Sequence, residues 1–412
     1  MYQKTVLSNS TRVVTEKIAN VHSISLGICI TTGSRNETSA ENGVSHFIEH
    51  LFFKGTTTRT AKDIAVEIDS IGGECNAFTG QEFTYFYVRF IDEHLEKVWA
   101  LLLDVLKNSQ FGVQEIEMER QVILEEIKSF EDSPTDQVFH RLAGCLFESH
   151  PLGFPIMGPR ENIKKFTRTD LIDFRDKHYT GSNLIIGAAG NIEHERLVNL
   201  ASLLEFPNDI NEPNKPNDFT PISAKSVELA KNELSQIHIA IGIRTIGYGD
   251  KIRYPWIILN TLLGSGMSSR LFQRLREKEG LVYEVNSFLE LLSDIGIFAI
   301  YLVTDPQNVA PALNCVWEEF KKLNKDGLEQ DELERTKAHL KGNLLLSLES
   351  TSARMLRILS NEMHLKKYVS MEETIENIEK VDAPTLLSIA QTYLTPNIYS
   401  ISKVGPSTTL HK

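Results

Sequence analysis

About sixty residues in the first half of this chain return in the second half in a single register, 215 residues on. Glu119-Arg120 returns as Glu334-Arg335, and Glu161-Asn162-Ile163-Lys164-Lys165 as Glu376-Asn377-Ile378-Glu379-Lys380. Leu171 returns as Leu386 and Thr180 as Thr395. Chance agreement of apolar positions does not hold one register for so long, so the chain reads as one fold written twice. Its 412 residues exceed one simple core and suit two domains of about 200. The seam is visible at 206–225, where Pro207, Pro213, Pro216 and Pro221 are interleaved with Asn and Asp and no periodicity survives. We read 1–205 as one half, 206–225 as a linker and 226–412 as the other.

Strand patterns open the first half at Lys4–Leu7, Arg12–Lys17 and His22–Thr32. Phe83–Ile91 is rich in aromatic and β-branched residues and pairs naturally with Glu74–Phe78, and Asn183–Ala189 supplies a last apolar strand. Helical composition covers Asn42–Phe53, Ala61–Ile71 and most of Glu93–Lys177. Helices packed on one face of a mostly antiparallel sheet give an α+β layer. The expected fold is α+β in two homologous halves arranged as a clamshell.

Within the first helix, His46-Phe47-Ile48-Glu49-His50 reads H-x-x-E-H. Two imidazoles four residues apart share a helix face and can share one metal ion. The intervening Glu49 is placed to take a proton from an attacking water. A catalytic zinc usually takes three protein ligands, so one more must come from another element. The segment Glu117–Ile127 is a strong helix former, and Glu119 and Glu126 stand two turns apart on one face. Taken as an isolated helix, those acids would be an ordinary solvated stripe. The doubled Glu125-Glu126 leaves the choice of ligand open, although spacing from Glu119 favours Glu126.

The combination resembles the pitrilysin/insulysin family of inverted zincins, in which H-x-x-E-H is followed by a Glu after roughly 75 residues. Here 75 residues separate His50 from Glu126. Gly33-Ser34-Arg35-Asn36-Glu37, Phe53-Lys54-Gly55-Thr56 and Gly72-Gly73-Glu74-Cys75-Asn76-Ala77-Phe78-Thr79 are similar to the mitochondrial processing peptidase branch and its bacterial relatives. The resemblance implies one Zn²⁺ per chain held by His46, His50 and Glu126, with Glu49 as general base and Glu119 supporting the ligands from behind. It implies that Glu74, Asn76, Ala77 and Phe78 lie on the strand that receives substrate. Arg276 and Tyr283 match a pair that, in the family, reaches substrate from the second half. The position corresponding to Glu126 there is Lys341, and no second H-x-x-E-H occurs. An ammonium cannot replace a zinc ligand, so only one half carries metal.

The resemblance thus implies a zinc endopeptidase acting on extended peptides bound as an added strand. It also allows a catalytic subunit that needs a homologous non-metal partner, a homodimer, or a noncatalytic interaction subunit of the same fold. The net charge of −12 argues against nucleic-acid or anionic-membrane binding. Cys29, Cys75, Cys145 and Cys315 lack metal or disulfide spacing. No signal segment or membrane span is legible, which fits a cytoplasmic, bacterial protein.

Overall fold

A computed structural model describes residues 1–204, 206 and 223–407. Most of the segment 206–225, read above as a linker, lies outside the described residues. The chain divides into two compact units. One comprises Met1–Ser129, Phe154–Asp218 and Ser347–Tyr368, the other Phe130–Gly153, Phe219–Leu346 and Val369–Lys412.

The first unit is built on strands β1 (Tyr2–Val6), β2 (Arg12–Lys17), β3 (Ser23–Ile30), β4 (Glu74–Thr79), β5 (Thr84–Ile91) and β6 (Leu184–Gly190). They form one sheet in the order β1-β2-β6-β3-β5-β4, antiparallel except for β2 beside β6. The second unit has β7 (Ser226–Ala230), β8 (Ile237–Ile246), β9 (Val282–Leu291), β10 (Ile295–Thr304) and β11 (Ser400–Gly405). Their order, β7-β11-β8-β10-β9, with β7 parallel to β11, reproduces the first sheet from β2 onward. The repeat in the sequence is therefore a repeat of topology, and the fold is α+β.

Helices of the first half of the sequence include α1 (Val44–Phe52), α2 (Ala61–Ser70), α3 (Leu95–Asn108), α4 (Val113–Asp132) and α5 (Pro134–Phe147). Alternate residues Ile24, Leu26, Ile28 and Ile30 of β3 pack with Phe47, Leu51 and Phe52 of α1 and with Leu102 and Val105 of α3. Both β3 and β6, however, are buried on both faces almost end to end, and a strand of that kind needs cover on both sides.

The second cover comes from the other half of the sequence. Helix Thr351–Leu365 lies on β2, β3 and β6, where Met355, Ile358 and Leu359 join Val14, Cys29, Ile185 and Ala189 in a core of their own. Gly27 and Gly187 face each other in register and leave the groove it fills. A Cβ on Gly27 would stand 2.4 Å from Met355 Sδ, and one on Gly187 would stand 2.6 Å from Leu359 Cδ2. Polar anchors flank this contact. Glu362, fully buried, accepts from Lys4 Nζ at 2.8 Å, and Arg354 pairs with Glu16 at 2.6 Å.

The reverse exchange serves the second sheet. There α5 packs on β8 and β11, and its Leu142 approaches Gly242. Both exchanged helices start on a serine cap, Ser133 and Ser350. The compact units thus depart from the 205/226 boundary by one helix each, because each sheet has a second apolar face with small residues shaped for a helix. The single-faced layer expected from the sequence is a two-faced one.

Truncating Leu359 to Ala empties part of that groove and should destabilise the fold by about 2–5 kcal/mol. A lower urea midpoint at unchanged slope would show it. A midpoint equal to the wild type would mean that this helix is not part of the first unit's core.

Candidate metal centre

Helix α1 begins without a side-chain cap, because Gly43 holds the N-cap position at φ +100°. Glu37 supplies the missing acceptors from upstream. Its buried carboxylate accepts from Gly43 N and Ser45 N, both at 2.8 Å, and from Asn42 Nδ2 at 3.0 Å. One turn into α1 comes His46, and one turn further His50, with ring centroids 4.7 Å apart.

Glu126 arrives from the middle of α4. Its Oε2 lies 3.7 Å from His46 Nε2 and 3.4 Å from His50 Nε2. One ligand atom from each of the three residues falls within 4.8 Å of the others. Tetrahedral zinc, about 2.0–2.1 Å from each donor, leaves donors about 3.3 Å apart, so this set fits such an ion in spacing and in chemistry. Glu125 points elsewhere, three-quarters exposed and paired with Lys128 at 3.6 Å.

The surroundings set the state of each imidazole. Burial, with His50 beside it, lowers the His46 pKa to about 3 and keeps that ring neutral. His46 Nδ1 is buried with no hydrogen-bond partner among the described residues. His50 Nδ1 stands 3.1 Å from Glu119 Oε2, and Lys54 Nζ holds the other Glu119 oxygen at 2.7 Å. With Nδ1 donating to Glu119, the lone pair of His50 is on Nε2, toward Glu126. The structure therefore brings Glu119 to the cluster, and adds Lys54, which the sequence reading left unassigned.

Glu49 sits beside the imidazoles on α1. Its Oε2 accepts from Thr79 Oγ1 at 2.6 Å. Burial raises the pKa of Glu49, and the bond from Thr79 opposes the rise. Thr79 ends β4, so the register of that edge strand decides whether the bond exists. Its place in the Glu74–Thr79 run was legible, but its partner was not.

Beyond Glu49 and His50 opens a cleft of about 400 Å³, lined by Phe53, Ala61, Ile64, Ile68, Cys75 and Ala77 among others. β4 forms one wall. It is the edge strand of its sheet and pairs only with β5 among the described residues. Glu74 and Asn76 are exposed, Ala77 faces the cleft, and Phe78 packs against Phe83 and Tyr85. In the second unit, Arg276 lies on a π-helical segment, Phe272–Lys278, and Tyr283 on β9. The structure brings these two together: the Arg276 guanidinium is 5.8 Å from the Tyr283 ring centre and 5.1 Å from that of Phe272.

Comparison with known proteins identifies the family. Residues 12–160 match the model of insulinase (peptidase family M16), and residues 165–340 match that of the peptidase M16 inactive domain. A protein of Bacillus subtilis named as an uncharacterized zinc protease is 35% identical over 410 residues, covering 99% of both chains. The chain belongs to peptidase family M16. A similarly named zinc protease of Mycobacterium tuberculosis is 36% identical over 409 residues, covering 98% of this chain and 93% of its own. The fold is shared with a protease from Helicobacter pylori, at a TM-score of 0.92 and 22% identity, covering 98% and 99% of the two chains. In this M16 chain Lys341, the counterpart of Glu126, lies one residue beyond the second match and pairs with Glu379 at 2.6 Å. No helix among the described residues is long and apolar enough to cross a membrane.

The low pKa of His46 gives a measurable sign. Above about pH 6.5, the usual value for the unfolded chain, its contribution to stability is complete. As pH falls toward 3 the unfolded state takes up a proton that the native state refuses, and stability declines by up to about 1.4 kcal/mol per pH unit. In chelator-treated protein, ring-nitrogen NMR should find His46 neutral at pH 5. A midpoint near 6.5 would refute the burial argument.

Proposed function

We propose that this chain is a zinc-dependent endopeptidase acting on extended peptides, with His46, His50 and Glu126 holding the metal. The observation that carries the reading is the meeting of those three donors beside a carboxylate, Glu49, already held by Thr79. When bound, zinc supplies Lewis acidity, making water more acidic and polarising the scissile carbonyl. Glu49 takes the proton of the attacking water and delivers it to the leaving amine. Thr79 occupies Oε2, which leaves Oε1 for the proton, and the raised pKa brings the carboxylate nearer to working pH. Glu119 and Lys54 fix the tautomer and orientation of His50.

The free edge of β4 suits an extended peptide added as a further strand, with Glu74, Asn76, Ala77 and Phe78 along it. Main-chain bonds of that kind hold many sequences alike, and the cleft beside Ala77 accepts an apolar side chain. Arg276 and Tyr283 are assigned to the substrate main chain and the oxyanion. Support for that assignment is their resemblance to the family pair and their exposed, adjacent side chains.

Glu49→Gln keeps the size of the side chain but accepts no proton. Peptide hydrolysis should fall by at least ~10²-fold with zinc retained. Near-normal turnover would reject the mechanism. Elemental analysis should find zinc lost from Glu126→Gln and kept by Glu125→Gln, whereas equal occupancy would overturn the ligand assignment. Tyr283→Phe should raise the barrier by about 2.7–4 kcal/mol without change in zinc content or melting temperature. If kcat is normal in the well-folded variant, Tyr283 takes no part in the reaction.

A further inference from the structure

The segment Gly33–Glu37 has so far entered only as a family likeness and as a cap. Its two ends grip the two elements that must meet at Glu49. At one end, Gly33 packs on the turn that follows β4, where a Cβ would lie 2.3 Å from Gly80 O. Ser34 N donates to Gly80 O at 3.2 Å and Arg35 N to Gln81 O at 2.8 Å. The Arg35 guanidinium pairs with the Glu82 carboxylate, and both side chains are less than one-tenth exposed. The other Glu82 oxygen faces His364 Nδ1 at 3.8 Å, on helix Thr351–Leu365. The turn so held begins one residue after Thr79. At the other end, Glu37 accepts from Gly43 N and Ser45 N in the first turn of α1, and Glu49 follows Gly43 by six residues.

Stability alone does not account for this pair. Replacing a buried ion pair by apolar side chains is often neutral or stabilising, because desolvating both ions costs about as much as their attraction returns. An apolar pair cannot, however, fix the direction of the turn. We propose that Arg35 is a positioning residue that acts through Glu82 and the 80–83 turn to hold Thr79 against Glu49, while Glu37 holds the helix on which Glu49 stands. The inference rests on the reading of Glu49 as the base. A misplacement of about 1 Å at a reacting group can cost on the order of 10²-fold in rate.

The test uses the full chain with zinc content measured in every sample. Arg35→Met/Glu82→Met removes both charges of the pair together, so neither is left buried without the other. Its kcat should fall by about 10²-fold, with KM changed by no more than about threefold, and Arg35→Lys should retain a substantial part of the activity. Thr79→Val should give a similar loss, and adding it to the double variant should cost little more, because the residues act through one contact. Wild-type kcat in the folded double variant, or losses that multiply, would overturn the proposal. A second readout needs neither metal nor turnover. In chelator-treated protein, amide exchange at Ser34, residue 35 and Gly80 should quicken about tenfold in the double variant while α3 is unaffected. Unchanged exchange there would overturn the bracket. If the wild type hydrolyses no peptide, the peptidase reading falls by itself, and exchange alone decides whether the bracket exists.

Discussion

A β-sheet whose central strands are buried on both faces has to be covered twice, and the architecture of this chain follows from that demand. β3 and β6 place Leu26 and Ile28 toward α1 and α3, and Cys29 and Ile185 toward helix Thr351–Leu365. With the sheet pinned between two layers, its edge strand β4 has a fixed height above α1. That height brings Thr79 within 2.6 Å of Glu49. The geometry at the cluster is therefore inherited from packing well away from it.

Charge is handled in two ways around the donors. His46 is kept neutral by burial, whereas Glu119 stays buried because Lys54 and the His50 ring take both of its oxygens. An unpaired carboxylate at that depth would be costly, and a paired one can orient a ring. Lys54 stands four residues beyond His50, just past the end of α1, so one short helix and its end supply both imidazoles, the carboxylate between them and the cation behind Glu119.

What the sequence made legible was local or periodic. H-x-x-E-H can be read because i and i+4 share a helix face, and Glu126 because it repeats the phase of Glu119. The duplicated topology could be read because register survives in positions such as Leu171 and Leu386. Contacts made through tertiary register could not be read in the same way. Thr79 acquires its role only when β4 is placed over α1, and Arg35 only when the turn after β4 is placed beside it. The exchange of helices had a trace in the sequence, since Leu184–Gly190 lacks the alternation of a strand with one wet face and the residues between the large apolar ones of Ser23–Ile30 are all small. Nothing in those strands names the helix that covers them.

The exchanged helices also bear on synthesis. The first sheet gains its last strand once Gly190 has left the ribosome, but the helix that closes its second face ends at Leu365. At about 5–20 residues per second, roughly ten seconds or more separate those events. During that interval Gly27, Cys29 and Ile185 stand open to water on a nascent polypeptide, a surface on which holding chaperones act. Domain-by-domain completion from the N-terminus, the common order for long chains, is closed to this one: its first half becomes finished only when its second half is nearly made.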